Sequence, residues 1–339
     1  MSMNYYRIKP WIMLMGIQSS FFSSCHAQPS FTMGQLKLIK TIPLPGVKGR
    51  IDHMDVNLKD QVIYVAALGN NTLEVVDLVK GKVIHSIEGL DEPQGVGYIP
   101  QTGEVFVANG GNGDGYFFNA HNFEKVAKVH LGSDADDVRY DSSAKKIYVG
   151  FGQGGIAVLD ASNHVQIVNI RMPAHPESFQ MDNKLQRMFV NLPDERMVGV
   201  VSLPQSRIIG TWINRSAGGN FPMALDTVRH RVFVGYRDPA RLVVFDGRSG
   251  NQLASVAMIG DADDLYYDQE SGKVFVSGGA GEISIFQDAV NGALKPTANF
   301  PTRNGARTSL LVPQLGLLIV AARATSGKPA SLLVYTITP

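Results

Sequence analysis

An aromatic-valine step returning every 41 to 44 residues constrains this chain more than any other feature. It stands at Tyr64-Val65, Phe106-Val107, Tyr148-Val149, Phe189-Val190, Phe233-Val234 and Phe275-Val276, with a degenerate copy at Ile319-Val320. Each copy carries four short segments in which apolar residues alternate over a few positions and then meet Gly, Asn, Asp or Pro. Alternation at period two is the mark of a half-buried strand. Seven such units at this period predict an all-β fold, a seven-bladed β-propeller of four-stranded antiparallel blades. No helical periodicity competes with it after the first 27 residues.

The two ends of the chain complete each other. The last repeat has segments near Arg307 to Val312, Gly316 to Ala322 and Ala330 to Thr338, and then the sequence stops one strand short. A matching strand, Gln35 to Ile42, lies at the other end and resembles the outer strands Lys82 to Ile87 and Lys125 to Leu131. Pairing it with the last blade closes the ring and removes an exposed sheet edge. The expected organisation is a leader at 1–27, a tether at 28–34 and a single propeller at 35–339.

Residues 1–27 read as a secretory signal peptide. Arg7 and Lys9 precede a short apolar run from Trp11 to Ile17, and Ala27 offers a small residue for cleavage. The run is too short and too interrupted to cross a bilayer. Cys25, the only cysteine, has two readings: it is discarded with the leader, or Phe22-Ser-Ser-Cys25 is a loose lipobox and Cys25 carries a lipid anchor. Both place the protein outside the cytoplasm, as a secreted, periplasmic or envelope-attached molecule. The mature chain then has no thiol, which excludes disulfides and thiol redox chemistry. The whole chain holds 31 basic and 30 acidic residues, a balance that gives no electrostatic case for nucleic acid.

The repeat units carry a resemblance. Asn71-Thr-Leu-Glu-Val-Val-Asp77, Lys82-Val-Ile84, Pro93-Gln-Gly-Val96 and Gly103-Glu-Val-Phe-Val-Ala-Asn109 resemble the YVTN-repeat propellers, the YncE-like and surface-layer-like proteins. The likeness covers essentially the whole mature chain, although the tetrad itself varies (YVAA, FVAN, YVGF, FVNL, FVGY, FVSG, IVAA). It implies an extracytoplasmic binding or scaffold propeller, and it implies no shared reaction.

Counting twelve residues back from each aromatic selects one position per blade. These are Gln94, Asp136, Glu177, Phe221, Asp263 and Arg307, with His53 matching in the first blade at eleven. In a propeller this position lies where the chain enters the innermost strand, so seven residues distant in sequence converge on one mouth of the central channel. Asp134-Ala-Asp-Asp137 in blade three is echoed by Asp261-Ala-Asp-Asp264 in blade six. Crowded carboxylates want a cation, a shared proton or a nearby Arg or His. Asp136 and Asp263 are therefore candidate oxygen ligands for Ca²⁺ or Mg²⁺, with Asp137 and Asp264 as further ligand-binding acids. The competing reading is structural: an Asp at this point also accepts backbone hydrogen bonds in its loop. Arg50, Gln94, His175 and Phe221 complete the candidate ligand-binding set, with the two arginines Arg50 and Arg307 as clamps for an anion or as partners of ring acids.

Three function classes fit these residues. One is a non-enzymatic binding or scaffold protein with a protein, glycan or small-molecule ligand at the mouth. The second is a lactonase-like hydrolase or lyase in which His53, Glu177 and Arg307 are catalytic. The third is an accessory propeller of a redox enzyme. There is no Gly-x-Ser-x-Gly elbow, no His-Glu-x-x-His and no Cys-x-x-Cys-His, so serine hydrolase, zincin and c-type cytochrome readings lack their motifs. Gly110 to Gly115 and Gly150 to Gly155 are followed by no helix and read as hairpin turns, not phosphate loops.

Overall fold

A computed structural model describes Met1 and residues 36–152, 154–289 and 292–337. The expected leader, Cys25 and the tether lie outside these residues. The compact unit Phe31–Pro339 is a β-propeller: among the described residues it has seven four-stranded antiparallel sheets, six of them with their strands in sequence order from the channel outwards and the seventh completed on its outer edge by the first strand of the chain. Among the described residues helix is confined to two three-residue 3-10 turns, Leu68–Asn70 and Pro313–Leu315, and no helix is long and apolar enough to cross a membrane. Blade three is representative, with strands Val138–Asp141, Lys146–Phe151, Gly155–Asp160 and Gln166–Arg171. Gly110 to Gly113 turn between the paired strands Glu104–Asn109 and Asp114–Asn119, as the sequence suggested.

The repeated dipeptide has a direct physical cause. It sits on the second strand of each blade, where adjacent side chains point to opposite sheet faces. Tyr64 packs among Val105, Val107 and Tyr116 of the following blade, while Val65 packs with Val334, Ile319 and Leu332 of the preceding one. The alternation repeats around the ring. Phe106 joins the blade two–three core with Ile147 and Val149, and Phe275 faces blade seven as Val276 faces blade five. Tyr64, Phe106, Phe189, Phe233 and Phe275 are at most 1% exposed. Burying each such side chain contributes about 1.5–3 kcal/mol, so the repeat is the glue between blades. Outer strands have one neighbour only and alternate accordingly, as in Arg207–Ile213.

Closure follows the expectation. Leu36–Pro43 pairs antiparallel with Ser331–Ile337, so the first strand of the chain is the outermost strand of the last blade. Ile42 is fully buried in the core shared by blades seven and one. The ring is thus fastened by hydrogen bonds between segments nearly three hundred residues apart.

Candidate functional site

The innermost strands line a central channel, and their register defines equivalent positions. Met54, Val96, Val138, Phe179, Met223, Leu265 and Ser309 each pair with the valine of their blade's repeat. Two residues before them stand Asp52, Gln94, Asp136, Glu177, Phe221, Asp263 and Arg307. All seven line one polar chamber of about 330 Å³ at the channel mouth. Arg50, His53, Asp137 and His175 line it too.

Two sequence assignments need correction. The first-blade member of the ring is Asp52, not His53. Asp52 N–H donates to Ala66 O (2.8 Å) as Asp136 N–H donates to Gly150 O (2.9 Å), so spacing twelve holds in blade one without the one-residue adjustment. His53 lies one step deeper, level with Asp137 and Asp264. Asp264 is absent from the mouth chamber and lines a second, larger chamber of about 720 Å³ at the opposite end of the channel. The cause is the strand's alternation. The third residue of each Asp-Ala-Asp-Asp segment faces the mouth, and the fourth turns towards the next blade. There Asp137 accepts the Phe179 N–H (3.2 Å) and Asp264 the Ser309 N–H (2.7 Å), each tying its blade to the next. These two acids accept backbone hydrogen bonds as the structural reading expects; Asp136 and Asp263 accept none among the described residues.

His53 borders both chambers and divides the channel. Its Nε2 is 3.6 Å from Asp136 and 3.9 Å from Asp52, and its Nδ1 is 4.0 Å from Asp264. Burial works against an imidazolium here, but Asp52, Asp137, Asp136 and Asp264 together outweigh it and push the pKa up to about 10. The acids around it thus favour the imidazolium form of His53. Below it, the Arg139 guanidinium pairs with Asp137 and donates to Val138 O at 2.8 Å.

The ring arginines are already engaged. Arg307 contacts Asp263 (2.6 Å) and Asp261 (3.1 Å), and Arg237 pairs with Asp263 while stacking 3.6 Å from the centre of the Phe221 ring. Arg50 pairs with Asp52 at 2.7 Å. His175 Nδ1 is 2.7 Å from Gly152 O. Gln94 donates to Asp134 at 3.2 Å. Phe221 is thus the platform for a guanidinium, a role its apolar character did not announce. The blander reading of Arg50 and Arg307, as partners of ring acids, is the one the geometry shows.

Two carboxyls differ from the rest. Glu177 has no hydrogen bond or ion pair from its carboxyl to any described residue. Burial raises its pKa to about 7, with His175 and Arg237 lowering it and Asp263 and Asp137 raising it. Asp136 is pushed well above the usual carboxylate range, by burial and then by Asp52, Glu177 and Asp137 against the pull of His53. Its Oδ1 is buried and accepts no hydrogen bond. Among the described residues no group of three His, Asp, Glu or Cys side chains is arranged to hold a metal ion.

Arg237 and Arg139 escaped the sequence reading. Arg237 lies four residues past its blade's aromatic, where four of the other six copies carry Gly or Pro, one carries Leu and the last carries Arg323, so the position alone did not single it out. Arg139 is a charge in the middle of an innermost strand, where its neighbours Val138 and Tyr140 are uncharged.

The fold and channel define a seven-bladed propeller with a charged mouth. No protein-family model matches the chain, and no curated protein matches it. Among solved structures it is similar to a chain of hydrazine synthase from Kuenenia stuttgartiensis, at 13% identity and a TM-score of 0.75, over 87% of this chain and 99% of that one. It is equally similar to a chain of a mitotic checkpoint complex, at 14% identity and a TM-score of 0.75, over 98% and 99%. Two proteins of such different kinds share one architecture with this chain, so the likeness is one of fold.

Proposed function

We propose that this protein is an extracytoplasmic propeller of the YVTN/YncE type that binds a small polar ligand in its mouth chamber. The observation that carries the reading is convergence: one residue from each of seven blades lines a single chamber of about 330 Å³, and the carboxyl of one of them, Glu177, has no hydrogen bond or ion pair among the described residues. A scaffold that used only its outer loops would have no need of this buried polar ring. Concave sites with a few converging polar groups are where small molecules bind. The leader-like residues 1–27 support the extracytoplasmic assignment, and the repeat supports the YVTN-type one.

A second reading has one specific observation behind it. A carboxyl titrating near 7 beside guanidiniums suits a general acid or base, which favours the lactonase-like hydrolase with Glu177 as the proton carrier. Arg307 would then polarise the substrate, and His53 would act only through its charge.

One experiment separates these. A library of small polar fragments, lactones and esters included, is screened by thermal shift and for turnover against the wild type and Glu177→Arg, which fills the chamber with a long cation. We expect stabilising fragments whose effect vanishes in the variant. Hits indifferent to it would refute the mouth site, and turnover lost in it would establish the enzyme.

A further inference from the structure

Resting on the mouth chamber as a binding site, we infer that its ligand is an organic cation, a small molecule whose ammonium group docks on the Glu177 carboxylate. The argument is a charge inventory of one cavity. Each arginine that lines the chamber already touches a carboxylate: Arg50 with Asp52, Arg237 with Asp263, Arg307 with Asp261 and Asp263. His53 sits among Asp52, Asp136 and Asp264. An anionic ligand would have to compete with these carboxylates for the guanidiniums and sit among the chamber's other acids. Six carboxyls line the chamber against three guanidiniums and two imidazoles, His53 and His175; Arg139 from outside it takes up Asp137, and His175 lies 3.6 Å from Asp134, so the carboxyl left over is Glu177.

Glu177 has no hydrogen bond or ion pair among the described residues, and Asp136 on the neighbouring blade is close enough to raise its own proton affinity through Glu177's charge. Among the described residues no three donors are gathered for a metal ion, whereas an ammonium needs only one carboxylate and acceptors around it. The volume limits the ligand to a small molecule. Arg237 covers one face of Phe221, so selectivity comes from the carboxylate more than from an aromatic cage.

Docking an ammonium requires Glu177 ionised, while burial by the protein favours its protonated form. The groups facing it are His175, Asp263, Arg237, Asp137 and Asp136. Binding should therefore release a proton near pH 6.5 and strengthen as the pH rises through 7.

Butylamine, butyrate and butanol share a chain length and differ only in the head group. Their binding to the full chain is measured by titration calorimetry at pH 6.5 and 8, in two buffers of different ionisation enthalpy. Butylamine should bind about tenfold more tightly than butanol and release protons at pH 6.5. Glu177→Gln should erase that preference, and Glu177→Asp should keep part of it. Butyrate binding best would overturn the ligand class and leave the mouth site standing. Equal binding of all three would overturn it too, as would an amine preference untouched in Glu177→Gln. No binding by any probe would take the mouth reading down with it.

Discussion

The two ends of the channel are built from the same seven strands and treat acidic side chains in opposite ways. At the end where the innermost strands finish, acids and amides are consumed by backbone donors. Asp55 accepts the Val56 and Tyr98 N–H groups (2.8 and 2.6 Å), Asn57 those of Lys59 and Asp60, and Asp141 those of Ser143 and Ala144. At the mouth, where the strands begin, Asp136 and Glu177 meet no such donor and face a cavity. A residue type does not decide between structure and chemistry; the supply of orphan N–H groups does. Tight turns generate such orphans, and a chain already paired as it enters a strand does not.

The largest test of this contrast is the divider itself. His53→Leu would strand Asp52, Asp136 and Asp264 without their shared cation. Removing one partner of a buried charge cluster costs about 3–5 kcal/mol, or about 6–10 °C in Tm for a chain of this size. Urea and thermal unfolding of the variant would measure it. A loss below about 1 kcal/mol would mean that the acids are already protonated and that the mouth is not an ion cluster.

Two glycines on one strand sharpen the comparison at intermediate scale. A Cβ on Gly95, level with His53, would lie 1.9 Å from Asp136 O and 2.5 Å from Val138 Cγ2. The backbone of blade three cannot yield, so Gly95→Ala should cost about 1–3 kcal/mol. Two residues on, a Cβ on Gly97 meets only Val138 Cγ1 at 3.0 Å, at the wall of the larger chamber. Gly97→Ala should cost less than about 1 kcal/mol. Equal losses in chemical denaturation would show that the two ends are packed alike and break the distinction.

What the sequence made legible follows from period. The aromatic-valine step encodes blade number because each copy must bury one side chain forwards and one backwards, and that requirement does not tolerate drift. The ring residues were legible for the same reason: a fixed count back from the step lands on the channel in all seven blades. Asp52 and His53 are adjacent, and which of them belongs to the ring is decided by the register, a property of the sheet. The facing member of each Asp pair was illegible, since period two assigns opposite sides and leaves open which side is the channel. Arg237 and Phe221 come from different strands, so their stacking is a tertiary fact with no local trace.

The smallest effect concerns Glu177 alone and reads the sign of its proton linkage. Its pKa rises from the usual 4.5 to about 7 in the folded chain, so folding tightens its hold on a proton. The stabilisation it contributes is complete below about pH 4.5 and disappears as the pH climbs through 7. Asp264, raised to about 7, and Asp55, raised to about 6, chiefly by burial, act in the same sense. The turn carboxylates Asp141 and Asp226 act in the opposite sense. Hydrogen bonds from Ser143 and Ala144, and from Arg229 and Val228, overcome burial and hold them below the usual range, so their contribution is lost in acid. Between pH 5 and 8 the first set dominates, and Tm should fall as the pH rises. Glu177→Gln, which cannot ionise, should leave Tm unchanged near pH 4.5 and raise it at pH 8 by no more than about 2 °C, since a partly exposed carboxylate is screened. Melting curves across that range would check it. An identical profile in wild type and variant would make Glu177 an ordinary solvated carboxylate, and the two ends of the channel would differ in shape only.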